Sequence, residues 1–94
     1  MRATSETTGE IAFGLSREEA LVLLELLQRL VEEEEARLIP LLHSSAEFAV
    51  LCRINNHLEK NLPEALRDDY DVLLRKARAL IIRQNGHYPG IEEK

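Results

Sequence analysis

Residues 20–31 read Ala-Leu-Val-Leu-Leu-Glu-Leu-Leu-Gln-Arg-Leu-Val, and no other stretch limits the possible folds so strongly. Ser16 followed by Glu19 has capping-box spacing, in which the hydroxyl accepts from a free amide of the first turn and the glutamate reaches back to the cap. A helix therefore starts at Ser16. At about 100° per residue, Leu23, Leu24, Leu26, Leu27, Leu30 and Val31 fill an arc of about 160°, opposed by Glu18, Glu25, Arg29 and Glu32. Leu21 and Val22 fall beside that arc. So wide an apolar face exceeds what packing against one neighbouring helix uses, and it implies a second contact surface.

Two more helices follow from the same rules. Ser44 and Glu47 repeat the capping box, after which Val50, Leu51, Ile54, Leu58 and Leu62 make one face, with Phe48 and Cys52 on its flank. Pro63 stops this helix. Asp68 is read as the cap of a third, on which Tyr70, Leu73, Leu74, Ala77, Leu80 and Ile81 occupy a face of about 120°. Asn85-Gly86 ends it with residues that tolerate a left-handed backbone. Between the first two helices, the acidic run at 32–35 repels itself where a helix C-terminus already disfavours negative charge, and Glu34 would enter the apolar arc. The first helix is expected to fray or turn there, and Pro40 with His43-Ser44-Ser45 marks a linker holding a short helical turn within 36–42.

Ahead of the first helix, Ile11, Phe13 and Leu15 alternate with Ala12 and Gly14, the period of a short strand. A lone strand cannot satisfy its backbone groups, so pairing with the same segment of a second copy is the expectation. The reading is an all-α, three-helix domain with one short N-terminal strand that pairs across a dimer. A leader spans 1–9, a single helical domain 10–86 and a C-terminal tail 87–94.

Composition sets the function classes. Ninety-four residues and 10.8 kDa, 45% hydrophobic and 31% charged, suit one folded domain. Aromatic residues at 4% with no tryptophan argue against a stacking platform for bases or sugars. The net charge of −5 disfavours nucleic acid and anionic membranes as partners. One cysteine cannot form an intramolecular disulfide, the opening residues lack a signal peptide's apolar stretch, and the longest apolar run, 20–24, is far short of the roughly 20 residues that span a bilayer. A cytoplasmic location without membrane contact is expected.

Each chemically suggestive group has a plainer account. Cys52 and His57 invite a nucleophile–base reading, but five helical residues rotate by about 500°, leaving the side chains about 140° apart. Cys52 is read as a buried structural residue. His43, His57 and His87 show no metal-ligand spacing. Asp68, Asp69 and Asp71 are acids such as a helix N-terminus selects for its dipole. Arg67, Arg75, Lys76, Arg78 and Arg83 concentrate positive charge on the third helix, yet are spread around it, with no preceding helix-turn-helix. No catalytic residue, metal ligand or cofactor is expected, and the chain is read as a non-enzyme. Asn55 differs, because it sits inside the apolar arc of the second helix, where a buried amide must find partners and often fixes register or partner choice.

The segments Leu15-Ser16-Arg17-Glu18-Glu19-Ala20-Leu21-Val22-Leu23, Ala46-Glu47, Leu58-Glu59-Lys60, Leu62-Pro63-Glu64 and Asp69-Tyr70-Asp71-Val72-Leu73-Leu74-Arg75-Lys76-Ala77-Arg78 resemble a group of small bacterial helical proteins. Those share a Leu-Ser/Thr-x-x-Glu-Ala-Leu-Val-Leu start and an Asp-Tyr-x-x-Leu-Leu-x-x-Ala-Arg third helix. The resemblance implies a bacterial cytoplasmic protein and supplies no activity. Ile54-Asn55-Asn56-His57 departs from the group's pattern. The function expected is that of a small protein-interaction or regulatory module acting as a homodimer, with Phe13, Leu21, Val22, Leu26 and Leu30 as the interface. The alternatives are a nucleic-acid-associated regulator using the third helix, and a small metal-dependent enzyme whose composite site draws on Asp68, Asp71 and His57.

Overall fold

The computed structural model of the protein describes residues 9–94, so the leader expected over 1–9 lies, Gly9 apart, outside the described residues. Three long helices dominate: α1 (Arg17–Gln28), α3 (Ser45–Asn61) and α4 (Tyr70–Asn85), with a four-residue α2 (Glu35–Leu38) between the first two. The class is all-α. α2 and the 3₁₀ turn Ile39–Leu41 stand where a short helical turn was expected, making four helices rather than three.

Local chemistry sets most boundaries. The Glu19 amide donates to Ser16 Oγ at 3.0 Å while the Ser16 amide donates to Glu19 Oε1 at 2.8 Å. At α3 the Ala46 amide donates to Ser44 Oγ at 3.0 Å, and Glu47 Oε1 accepts from the amides of His43 and Ser44 at 2.6 and 3.2 Å. Each cap satisfies amides that the helix itself leaves unpaired. Pro63 opens the 3₁₀ turn Pro63–Leu66 after α3, and Gly86 caps α4 at φ +84°, a backbone region glycine enters without penalty.

One expectation is corrected, one is refined, and one concerns a second copy. The cap of α4 is Asp69, not Asp68, and it makes no side-chain cap bond because Arg67 holds its carboxylate at 3.0 Å. Of the two outcomes expected at the acidic end of α1, the chain turns rather than frays: it first widens into a π-helical stretch, Arg29–Glu33, closed by the Glu34 amide donating to the Arg29 carbonyl at 2.7 Å. Backbone at Glu34 then leaves the helix, and its carboxylate pairs with Arg37 at 3.1 Å instead of entering the core. Residues 10–16 carry no regular structure in the single chain, and among the described residues no second strand lies against 11–15, whose expected pairing is with a second copy.

α1 is the axis of the molecule. It packs against α3 and α4, which meet each other chiefly through the Pro63–Leu66 turn that touches both. Ala20, Leu21, Leu24 and Leu27 bury themselves against Leu58 and Leu62, with Leu51, Tyr70 and Leu73 closing the edges. Leu24 is fully enclosed. α3 runs antiparallel to α1: the Arg17 guanidinium grips Glu64 at 2.5 and 2.6 Å and the Asn61 carbonyl at 3.3 Å, while Asn55 lies beside Glu32. Packing on a single partner leaves part of α3 bare, and Val50 and Ile54, expected on its inner face, are exposed. On α4, Leu74 and Ala77 are buried as expected. Among the described residues no helix is long and apolar enough to cross a membrane.

Candidate functional site

α1 has two kinds of apolar surface. Its buried arc is made by Ala20, Leu21, Leu24 and Leu27. Counting about 100° per residue, Val22, Leu26 and Leu30 fall together on the far side, in an arc of about 80°, with Leu23 at its edge packed against the core. There Leu26 is 39% exposed, and Val22 and Leu30 are only half-buried.

Four of the five expected interface residues therefore keep surface to offer: Phe13, Val22, Leu26 and Leu30. Leu21 is the correction. At 5% exposure it belongs to the core of a single chain, because α4 packs on the flank of α1 that carries it. Phe13, 68% exposed, lies in the irregular segment just before the helix, with Ile11 similarly uncovered and Leu15 less so. The edge of the apolar surface is ionic. Glu25 accepts from Arg29 at 2.6 Å and lies 3.8 Å from Arg78. This pairing neutralises charge beside the face.

The accessible area has a clear surplus. A folded monomer of this mass exposes about 5,500 Å², whereas this chain exposes 7644 Å². Part of the difference comes from the extended segments on either side of the helices, whose Ile11, Phe13, Tyr88 and Ile91 are bare. The radius of gyration, 15.1 Å, likewise exceeds the roughly 12.4 Å of a close-packed chain of this length. Other exposed apolar residues were not singled out in the sequence: Ile39 and Leu41 on the turn after α2, and Leu66. The apolar neighbours of Pro40 were their only signal.

Asn55 is buried at 3% exposure, as its position on the second helix implied. Its amide donates to Glu32 Oε2 at 3.3 Å, and its Oδ1 has no partner. The Tyr70 hydroxyl is also buried without a partner, and burial pushes its ionisation above the ordinary tyrosine value.

The remaining chemical candidates do not assemble within the chain. Cys52, expected to be buried, is only partly so, because that flank of α3 has no helix packed on it; it borders a shallow, open depression with His57, with no hydrogen bond between them among the described residues. Asp68, Asp71 and His57 are all exposed, and among the described residues no three His, Cys, Asp or Glu side chains form a group able to hold a metal. On α4, Arg78 is drawn to Glu25, and Arg67 ahead of the helix is held by Asp69, which leaves Arg75, Lys76 and Arg83 exposed. What the geometry can do best is present an apolar helix face, framed by neutralised charge, to another molecule. Comparison with known proteins returns no family model, no curated protein and no solved structure that matches the chain.

Proposed function

We propose that this chain is a small, non-enzymatic protein-interaction or regulatory module that works as a homodimer through the outer face of α1. The carrying observation is Leu26, which lies exposed beside half-buried Val22 and Leu30 on the most apolar helix of the chain. A two-fold axis lets one patch cover itself, and it brings the two copies of residues 11–15 together as antiparallel strands, pairing backbone groups that form no strand among the described residues of one chain. A bacterial, cytoplasmic setting, which the resemblance of the capping and core segments implies, belongs to the same reading.

Sedimentation equilibrium on the wild type and Leu26→Glu tests it. The wild type is expected at twice the 10.8 kDa chain mass at micromolar concentration. An unpaired charge buried at position 26 should weaken association by about 3 kcal/mol, roughly a hundredfold in Kd. A wild-type mass near 10.8 kDa rules against the dimer.

One observation favours a second reading, a nucleic-acid-associated regulator: Arg75, Lys76 and Arg83 are exposed on α4 with no ion pair recorded among the described residues. It requires retention of DNA or RNA that weakens steeply with salt, and absence of binding at low salt removes it.

A further inference from the structure

We propose that Asn85 is a modification site, at which the Asn85-Gly86 pair cyclises and deamidates when the last turn of α4 opens. The proposal does not depend on the homodimer. Asparagine followed by glycine is the pair most prone to this reaction, because any larger following residue hinders attack of its own backbone nitrogen on the asparagine carboxamide. Asn55, Asn56 and Asn61 precede Asn56, His57 and Leu62, so Asn85 alone has glycine after it. Both residues of the pair are exposed, and a Cβ added at Gly86 would meet nothing within 4 Å beyond its chain neighbours.

The chemistry needs only water. A solvent base removes the Gly86 amide proton, the nitrogen attacks Asn85 Cγ, and the bond from Cγ to Nδ2 breaks, so that ammonia leaves and a succinimide ring remains. Water then adds at either ring carbonyl, giving aspartate or isoaspartate with no change of oxidation state.

The fold restrains both reacting groups. The Gly86 amide donates to the Ile82 carbonyl at 2.6 Å, which ties up the nucleophile, and Asn85 Nδ2 donates to the Ile81 carbonyl at 2.9 Å, which holds the leaving group along the helix. Cyclisation therefore requires both bonds to break together. They belong to the final turn, where a helix opens at the least cost. The products cannot restore them. Aspartate has no donor to return to the Ile81 carbonyl and places negative charge at the helix end that disfavours it. Isoaspartate routes the main chain through the former side chain and displaces the Gly86 cap. Either product leaves the turn that carries half-buried Ile81 and Ile82 loosened, a change that accumulates with the age of the molecule.

Incubation of the full chain at mildly alkaline pH, folded and unfolded in guanidinium chloride, followed by proteolysis and mass spectrometry, tests this. The unfolded chain is expected to gain the mass of an amide-to-acid exchange at Asn85 before any other asparagine, as a mixture of aspartate and isoaspartate. The folded chain should react at least about tenfold more slowly. Gln84→Gly loosens the exposed last turn without touching the reacting pair, and should speed the folded reaction several-fold while leaving the unfolded rate unchanged. Asn85→Asp, one of the two products, should lose protection from hydrogen exchange at the Gly86 amide while Leu74 keeps its own. Equal rates in the folded and unfolded chains, or a Gln84→Gly rate no faster than wild type, overturn the gating by the last turn. An unfolded chain modified faster at Asn56 or Asn61, or unmodified at Asn85, overturns the site. Unchanged protection at Gly86 in Asn85→Asp overturns the loosening.

Discussion

Replacing Asn55 by leucine should stabilise the protein, because the amide is buried with half its hydrogen-bonding capacity unused. Its Oδ1 has no partner, and a buried acceptor left in that state costs about 1–3 kcal/mol. The opposing loss is small: the amide's bond to Glu32 is long, at 3.3 Å, and Glu32 is exposed, so water replaces the donor. Leucine also adds apolar surface beside Leu58 and Leu62. The net gain is about 1–2 kcal/mol, raising the melting temperature by roughly 5–15 °C in a domain of this size. Asn55→Asp reverses the sign, since it buries a carboxylate against Glu32, and should destabilise by about 3 kcal/mol or more at neutral pH. Urea denaturation read by circular dichroism measures both. If Asn55→Leu lost 1 kcal/mol or more, as a central tendency for breaking a satisfied network, Oδ1 would have a partner outside the single chain and the reasoning would fail.

Leu24→Ala removes three buried carbons at about 0.8 kcal/mol each and leaves a cavity, so a loss of about 3–4 kcal/mol is expected in the same assay; a loss below about 1 kcal/mol would mean that α1 is not the axis of packing. The hydrogen bonds from the Arg17 guanidinium hold the Glu64 carboxyl at about 2, below its ordinary 4.5. A depressed folded value means that the pair stabilises above pH 4.5 and loses its effect as pH falls toward 2. Denaturation midpoints should therefore separate wild type from Glu64→Gln at pH 7 and converge at pH 2; a gap that persists at pH 2 contradicts the ion pair. Ser16→Ala and Ser44→Ala each remove a reciprocal cap and should cost about 1 kcal/mol of unfolding free energy, and a neutral result in either would place the helix start elsewhere.

Features governed by neighbours in sequence were legible before any coordinates. Ser16 with Glu19, Ser44 with Glu47, Pro63 and Gly86 act within one turn, and the structure uses each as its chemistry dictates. The phase of Asn55 also carried through, because burial of that side of α3 needs only Leu58 and Leu62 as references. Phase alone could not say which part of the α1 apolar surface two neighbours would cover. Leu21 and Leu26 are both leucines on a leucine-rich helix, and only the placement of α4 sends one inward and leaves the other out. The π-helical stretch was similarly hidden. It accompanies Arg29, Glu34, Arg37 and the distant Asn55, groups whose pairing depends on where the chain turns. Arg17 and Glu64 lie 47 residues apart, a separation at which charge pattern carries no information about contact.

Methyl NMR of the wild type with a soluble paramagnetic agent tests most directly whether association covers the outer face of α1. Leu24, enclosed in one chain, and Leu66, 90% exposed, provide the shielded and open references. At concentrations where the protein is dimeric, the Leu26 methyls should relax nearly as slowly as those of Leu24, and dilution should move them toward Leu66. Leu26 relaxing midway between the two references at every concentration, as its 39% exposure in a single chain dictates, would contradict the account.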